Sequence, residues 1–511
     1  MTITLDTKVD ATLPKLAWIA RFDLTSETVR CLVGSWVETA GDRIVEGAWA
    51  GDFADMNFRR SCSFSGTGMI VDDEEVVLVP PANTMECGFS RAVGTTWWFS
   101  NSTPLLLRAS GGTLDLEYLD YEADAHSITL GLDAYTSKIP VVNGQPVERH
   151  YYQNLVVASD GTVRKEDKDT PPVPRSYSEY ADLLAESTKQ IANNTRASTR
   201  LHRYEPISFC STGYDSAVCS LLAYDAGARE GISFETSRSD RRDSGHEILR
   251  CLGYDSVTTM DDTEYLQRRG SELFLAAGEA GTTIFLNGAA DHLSGKVVVA
   301  GNHGDNMWER SAPSNRVVLR EPFSPRHPRE FRIQEGALFF CPAYLTAMIQ
   351  PEIVKLSSSA EMQPWSLGGD YDRPIPRRML EERGIPRTTF GMSKTGGVGT
   401  SLRFGALRHL RKVMNPEDHA AFRDFVKRLP RRRPTAYHLA RSAMYLLYVG
   451  CVLLRKRGLG APQRLFERHL GPKWSCSPFA PRLLFPWAVE RLQQTSYRDI
   501  DIEHLEPSGA P

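Results

Sequence analysis

Two short loops of small, hydroxyl and acidic residues carry the strongest chemical signal in the sequence. The first reads Ser211-Thr212-Gly213-Tyr214-Asp215-Ser216 and follows an apolar run at 207–210. Backbone N–H groups and hydroxyls at the start of a helix favour a bound anion, because the helix dipole is positive there. Asp215 would repel a phosphate unless it held a cation, so the loop indicates Mg²⁺ bridging to a polyphosphate. A simple capped strand-to-helix turn is the alternative.

A second loop repeats this pattern about 90 residues later. The segment Gly301-Asn302-His303-Gly304-Asp305 follows a β-branched run at 297–300. Ligands of open α/β sheets bind at the carboxyl ends of the strands, so two such loops can belong to one site. The pair predicts that Asp215 and Asp305 hold the same metal ion. For Asp305 the alternative is an Asx turn.

The elements that would position these loops follow from the hydrophobic pattern. Up to about residue 165 the chain alternates short β-branched runs with polar turns, which predicts a β-rich region. A polar, proline-containing linker follows at 165–174. From 205 to 300 short apolar runs alternate with helical patterns, which predicts a parallel sheet with helices on both faces. The remainder, from about 335, is predicted to be mainly helical.

We therefore expect an α/β protein of two domains, a β-rich domain at 1–170 and a parallel-sheet domain at 175–511. The second domain should begin with an amphipathic helix at 179–191, capped by Ser178. The stretch 283–292 is also predicted to be helical. The apolar stretch 443–454 predicts a buried helix, because it is shorter than the roughly 20 residues that span a bilayer. A membrane segment is the alternative there.

Composition limits the function classes. The chain has 511 residues, a formal net charge of −3 and no long basic tract, which gives general nucleic-acid binding no support. Nine cysteines contain no C-x-x-C pair, which argues against a zinc ribbon or a thioredoxin-type centre. Their odd number is typical of reduced thiols in a cytosol. The residues from Met1 to Asp6 do not form a signal peptide, so we expect a cytoplasmic protein.

The two loops together resemble the asparagine-synthetase-like branch of the PP-loop ATP pyrophosphatases. That family carries Ser-Gly-Gly-x-Asp-Ser after its first strand, and here Thr212 replaces one glycine. It carries Gly-x-Gly-Ala-Asp or a close variant after a later strand, which 301–305 resembles. β-Lactam synthetases and lasso-peptide macrolactam synthetases belong to the same branch. In the β-lactam synthetases a Tyr follows the glycine of the second loop, where this chain has Asn302.

The β-rich part resembles a degenerate glutamine-amidotransferase domain of the N-terminal-nucleophile type. The segments 68–71, 98–102 and 105–107 are similar to its sandwich strands. The family's glutaminase uses a cysteine at the mature N-terminus, whereas residue 2 here is Thr2. The resemblance therefore implies that glutamine hydrolysis is lost. Cys31 is expected to be a strand residue and not a nucleophile.

The resemblance also implies roles for individual residues. The ATP phosphates would be bound by Ser211, Thr212, Gly213, Asp215, Ser216 and Gly301. Asp215 and Asp305 would ligate Mg²⁺. Lys394, in a segment similar to the one carrying the family's active-site lysine, would neutralise charge on the phosphates and acyl oxygen; the alternative is a surface lysine. Glu335 would help to deprotonate the attacking amine; the alternative is a capping or salt-bridge carboxylate.

The expected function is an ATP-dependent, AMP-forming ligase that adenylates a carboxylate and forms an amide or lactam with an amine. An ATP pyrophosphatase that modifies a nucleoside or tRNA is one alternative. A nucleotide-binding scaffold whose catalytic loops have drifted is another. The expected cofactors are ATP and Mg²⁺. A small-molecule or peptide substrate with a carboxylate and an amine is the expected partner, with no membrane or nucleic acid; a homodimer or partner biosynthetic proteins are left open.

Overall fold

Three β-sheets organise the chain. The computed structural model describes residues 2–142, 144–236, 242–278, 283–310, 328–369, 371–392, 407–430, 435–470 and 472–506. A β-rich N-terminal region precedes a parallel five-stranded sheet with helices, so the predicted α/β class and the order of its two parts are confirmed.

The N-terminal strands form two sheets that pack face to face. The strands are β1 (Thr4–Val9), β2 (Trp18–Asp23), β3 (Thr28–Val33), β4 (Glu38–Ala40), β5 (Arg43–Ala48), β6 (Ser65–Asp72), β7 (Glu75–Val79), β8 (Gly88–Val93), β9 (Thr96–Ser100), β10 (Lys138–Ile139), β11 (Val147–His150), β12 (Asn154–Ala158) and β13 (Val163–Glu166). One sheet has the order β1-β3-β2-β9-β8-β11-β10, and the other has the order β13-β12-β7-β6-β5-β4. Alternate residues such as Trp18 and Phe22 on β2 meet Val76 and Leu78 on β7 in a common core. This two-residue period is what buries one face of each strand. A hairpin turn at Asp160-Gly161 joins β12 to β13.

The third sheet is parallel throughout. Its strands are β14 (Glu205–Phe209), β15 (Glu230–Phe234), β16 (Ser256–Met260), β17 (Lys296–Val299) and β18 (Leu338–Phe340). They lie in the order β16-β15-β14-β17-β18. From β14 the chain first builds outward through β15 and β16, then returns to the other side of β14 for β17 and β18. The strand order therefore reverses between β14 and β17, which is where ligands of such sheets bind.

The helices cover these sheets. They are α1 (Thr103–Ala109), α2 (Tyr121–His126), α3 (Tyr177–Thr195), α4 (Tyr214–Asp225), α5 (His246–Leu252), α6 (Ser271–Leu275), α7 (Gly304–Trp308), α8 (Arg329–Glu335), α9 (Gln350–Ser357), α10 (Pro374–Glu382), α11 (Leu407–Val413), α12 (Pro416–Arg428), α13 (Ala436–Lys456), α14 (Ala461–Leu470), α15 (Leu484–Gln494) and α16 (Ile502–Leu505). Two helix predictions need correction. Ser176, not Ser178, caps α3, because its side chain accepts a hydrogen bond from the Glu179 N–H. The predicted helix at 283–292 consists of two 3₁₀ turns, Ile284–Asn287 and Ala290–His292.

The prediction that the apolar stretch 443–454 forms a buried helix is wrong about its burial. It lies in α13, and only 17% of the residues in its most apolar window are buried. Among the described residues, the segment Ala436–Arg455 is the one helix long and apolar enough to cross a membrane. Local apolar content predicted the helix but not which of its faces packs against the protein.

A buried ionic cluster joins the N-terminal sheets to the second half of the chain. Arg332 on α8 donates to Glu46 on β5 at 2.7 Å and to Glu86 at 2.6 Å. All three side chains are at most 2% exposed. Burial alone lowers the pKa of the Arg332 guanidinium, but the two carboxylates outweigh that effect and raise its pKa. Burial raises the pKa of the Glu46 carboxyl, and the Arg332 guanidinium opposes that shift. The cluster ties β5 directly to the helix that leads into β18.

The C-terminal elements return to the first half of the chain. The Tyr497 hydroxyl donates to Glu330 on α8 at 2.8 Å, and Ser102 donates to the same carboxylate at 3.0 Å. α15 packs on α1 and α6, and α16 packs on β3. The last described elements therefore complete contacts that begin near residue 100.

The buried His150 should make folding sensitive to mild acid. Burial lowers the pKa of His150 from its usual 6.5 to about 3. The unfolded chain therefore binds one more proton at this position between those values, and stability falls as the pH falls from 6.5 towards 3. His150→Gln should reduce this pH dependence by up to about 1.4 kcal/mol per pH unit. Urea unfolding across this range measures it; the exposed His292→Gln is the control and should unfold like the parent.

Candidate functional site

The two loops predicted from sequence meet at the carboxyl edge of the parallel sheet. β14 and β17 are neighbours with Ser208 opposite Val299, so the loops that follow them start side by side. The first loop leads into α4 at Tyr214, and the second leads into α7 at Gly304. Both aspartates lie in the first turn of their helices.

The second loop packs directly on the first, which explains why positions 301 and 304 are glycines. A Cβ atom on Gly301 would lie 2.5 Å from the Ser216 backbone nitrogen. One on Gly304 would lie 2.6 Å from both Cβ and Cγ of Asp215. Neither position has room for a side chain, because the second loop lies against the first turn of α4. The structure thus brings 301–305 and 213–216 into one site.

Substitution of Gly301 should force this contact apart. In Gly301→Ala the new methyl group meets backbone atoms of α4 at 2.5 Å, so a main-chain segment must move. We expect the free energy of unfolding to fall by about 1–3 kcal/mol, as in other overpacked cores. Gly450→Ala in α13 is the control: nothing lies within 4 Å there, and alanine in a helix should stabilise by about 0.5–1 kcal/mol. Urea unfolding of both variants decides; equal responses would contradict the contact.

His303 adopts a strained backbone conformation in this turn. It caps α7 with a φ of 67°, in the left-handed region that residues other than glycine rarely adopt. Its ring is 3% exposed and packs edge-on against Tyr344, with 4.5 Å between ring centroids. Packing therefore holds an unfavourable backbone conformation beside the two aspartates, which is common at functional sites.

The serines of the first loop shape it by bonding to each other. The Ser211 N–H donates to the Ser216 hydroxyl at 3.1 Å, and the two hydroxyl oxygens are 2.9 Å apart. The Gly213 N–H donates to the Ser211 hydroxyl at 3.3 Å. These bonds curl the backbone between β14 and α4 into a compact turn.

Thr212, which replaces a glycine of the family pattern, has a hydrogen-bond partner in Asp243. The Thr212 hydroxyl donates to the Asp243 carboxylate, and the Thr212 N–H does so at 3.2 Å. Asp243 is fully buried. The carboxylate anchors the first loop, so a hydroxyl at position 212 is part of the local structure.

A third segment, which contains Gly391, packs against the first loop. The Gly391 N–H donates to the Thr212 carbonyl at 2.7 Å. Gly391 has a φ of 65°, and a Cβ atom there would lie 2.1 Å from the ring of Tyr214. Tyr214 is fully buried. Lys394, three residues further on, lies outside the described residues, so its predicted role stays a prediction.

Tyr371 is a neighbour of the site that the sequence analysis missed. A methyl group on Gly213 would lie 3.7 Å from the Tyr371 hydroxyl. Burial raises the pKa of the Tyr371 phenol above its usual range. The nearby carboxylates of Asp215, Asp243 and Asp305 raise this pKa further. Tyr371 therefore lies within electrostatic range of both predicted metal ligands. No local motif marked it, since it reaches the loops through tertiary packing.

Glu335 lies away from the loops. It precedes β18, whose Leu338 is opposite Val297, so it lies at the amino edge of the sheet, whereas the loops lie at the carboxyl edge. Lys15 donates to the Glu335 carbonyl at 3.0 Å. Burial raises the pKa of the Glu335 carboxyl, and the cations of Lys15 and Arg268 oppose the shift. The structure does not bring Glu335 to the other predicted site residues.

The donor set at the loops fits Mg²⁺ bound together with a polyphosphate. Within the ranges that the structure describes, no group of three or more His, Cys, Asp or Glu side chains is placed to hold a metal ion. Mg²⁺ in nucleotide sites needs no such cage, because it takes one or two carboxylates and completes its shell with phosphate and water. Asp215 and Asp305 supply hard oxygen ligands of that kind.

Comparison with known proteins adds no family. No protein-family model matches the chain, and no curated protein matches its sequence. The functional argument therefore rests on the geometry of the two loops.

Proposed function

We propose that this chain binds ATP at the carboxyl edge of its parallel sheet and uses it to adenylate a carboxylate. The observation that carries the proposal is the packing of Gly301 and Gly304 on the first turn of α4. It supports a single site bearing Asp215 and Asp305 at the reversal of strand order between β14 and β17. By the resemblance to PP-loop ATP pyrophosphatases, this sheet would be the ATP-binding domain.

The chain's own residues would bind and orient the triphosphate. α4 has 12 residues and presents its N-terminal N–H groups at the first loop, where the helix dipole favours phosphate. Asp215 and Asp305 would hold Mg²⁺, which when bound neutralises phosphate charge. Ser211, Thr212, Gly213, Ser216 and Gly301 would form the wall of the phosphate site. Glu335 has no place in this scheme, because it lies at the opposite edge.

The proposed reaction has two steps. A substrate carboxylate oxygen attacks the α-phosphorus of ATP, the bond to the β-phosphate oxygen breaks, and pyrophosphate leaves. An amine then attacks the acyl carbon, loses a proton, and AMP leaves with the bridging oxygen. By the same resemblance, the N-terminal sheets would be an amidotransferase-like sandwich. The amine would come from the substrate, a second substrate or ammonia.

The products of ATP identify the reaction class. Incubation with ATP, Mg²⁺ and a panel of carboxylates and amines, including peptides that carry both, should release AMP and pyrophosphate in equal amounts. Nucleotide chromatography with a pyrophosphate assay measures both. ADP and phosphate as products would overturn the adenylation scheme.

A nucleotide-binding scaffold is the second candidate, and one observation favours it. The hydroxyls of Ser211, Thr212 and Ser216 are all engaged in hydrogen bonds within the protein, so the loop does not depend on a nucleotide for its shape. ATP binding measured by calorimetry, with no pyrophosphate release over the whole substrate panel, would support this candidate over the ligase. The expected cytoplasmic location belongs to both proposals and accords with nine free cysteines.

A further inference from the structure

The helix α13 has an apolar outer face that the rest of the described chain leaves exposed. Its members, which we call the outer leucine face, are Leu439, Leu446, Leu447, Leu453 and Leu454. They are between 38% and 60% exposed. At 100° per residue they lie within an arc of roughly 120° on the helix. Single exposed leucines are ordinary, but a contiguous apolar face marks a binding surface.

The opposite face of α13 is held by the protein. Arg441 is fully buried and donates to Asp120 at 3.0 Å. Tyr448 is 1% exposed and packs on Phe466 of α14, with 5.3 Å between ring centroids. These contacts run along the helix, so α13 cannot leave the protein to cross a bilayer without burying Arg441 unpaired. The helix, about 31 Å long at 1.5 Å per residue, is fixed with its leucines turned outward.

The stretch of sequence that contains α13 is strongly basic. Residues 427–473 contain twelve Lys or Arg and a single Asp or Glu, whereas the whole chain has 60 and 63. No acidic residue occurs from 435 to 463. Arg455 and Arg457, at the end of α13, are exposed. An apolar helix face bordered by cations is the pattern of helices that lie in the interface of an anionic membrane.

We infer that the outer leucine face of α13 docks this protein on an anionic lipid bilayer, with the helix parallel to the surface. The positive charge complements anionic headgroups, and the leucines enter the acyl boundary. A second copy of the chain fits less well, because it would bring two positive segments together. A protein partner fits less well, because such interfaces rely on Trp, Tyr and Arg anchors and leucine is under-represented. This inference replaces the expectation of no membrane partner and is independent of the nucleotide site.

Vesicle flotation of the full chain tests the inference. Vesicles of phosphatidylcholine with phosphatidylglycerol should bind the protein at least about tenfold more strongly than phosphatidylcholine alone. Added salt should release a large part of the bound protein, because it screens the headgroup attraction. Equal binding to both vesicle types, or no binding to either, would overturn the inference.

Substitutions on the outer leucine face separate it from the rest of the surface. The triple variant Leu446→Ser, Leu447→Ser and Leu453→Ser should lower binding to anionic vesicles by at least about tenfold, since it removes three apolar side chains that would enter the acyl boundary of the bilayer. Arg455→Gln with Arg457→Gln should weaken binding and its salt dependence, and it tests the charge without touching the leucines.

The control variant replaces exposed apolar side chains that lie outside α13. Leu201, Val163 and Val173 are 65%, 46% and 52% exposed and lie outside α13, so replacing all three with Ser should leave flotation unchanged. Loss of flotation in this control would contradict the assignment to α13. Analytical ultracentrifugation supplies a further outcome: a dimer that the leucine triple variant dissolves, without vesicle binding by the parent, would mean that a second copy covers the face.

Discussion

Asp215→Asn and Asp305→Asn should each reduce pyrophosphate release by about 10³-fold or more, because each removes a charged ligand from the ion that neutralises the phosphates. Asparagine keeps the shape of the side chain, so the contact between Gly304 and residue 215 is preserved. Thermal unfolding should therefore change little in either variant. The rate of pyrophosphate release at saturating ATP is the measurement.

The double variant makes this prediction specific to one shared site. If both carboxylates bind the same ion, the double substitution should cost hardly more than either single one, because groups that act as a unit are not additive. Asp424→Asn, an exposed aspartate on α12, is the matched control and should retain the parent rate. Full activity in Asp305→Asn would separate the second loop from the site.

Arg332→Ala should destabilise the fold by about 3–5 kcal/mol, because it leaves the Glu46 carboxylate buried without a cation and leaves Glu86 with only Arg329, at 3.7 Å. This is a large part of the total stability of an ordinary domain. Urea unfolding, followed by fluorescence of the tryptophans, measures it. A loss below about 1 kcal/mol, the range of exposed ion pairs, would contradict the buried arrangement.

Two further variants separate charge from packing at this position. Arg498→Ala removes a guanidinium that is 69% exposed and paired with Asp499, and it should cost less than about 1 kcal/mol. Arg332→Met combined with Glu46→Leu removes the Arg332–Glu46 ion pair and keeps Glu86 beside Arg329, and it should recover much of the stability lost in Arg332→Ala. Recovery in this variant identifies the unpaired Glu46 carboxylate as the cause.

The parallel sheet and its two loops were predictable because their signals are local. β14 and β17 are short apolar runs that end in small polar residues, and a strand-to-helix turn needs no distant partner to be recognised. The runs at 207–210 and 297–300 lie within two residues of the observed bounds of β14 and β17. The adjacency of β14 and β17 is long-range, but two similar loops in one α/β pattern were enough to indicate it.

The rest of the site depends on tertiary packing that no local pattern encodes. Tyr371 and Asp243 reach the first loop from segments more than 25 residues away, and neither belongs to a motif. Glu335 was assigned from the resemblance to the family, but the direction of β18 places it at the other edge. The burial of α13 was misjudged for the same reason, since tertiary contacts decide which of its apolar residues are packed.

The return of the C-terminal segment to α1 and α8 has a consequence for synthesis on the ribosome. Glu330 accepts hydrogen bonds from Ser102 and from Tyr497, which are separated by most of the chain. While residues beyond 480 are still in the exit tunnel, Tyr497 and α15 are missing from this contact. We expect nascent chains stopped before α15 to remain sensitive to protease around α1 and α6, and the emergence of α15 and Tyr497 from the tunnel to be the event that locks the two halves together.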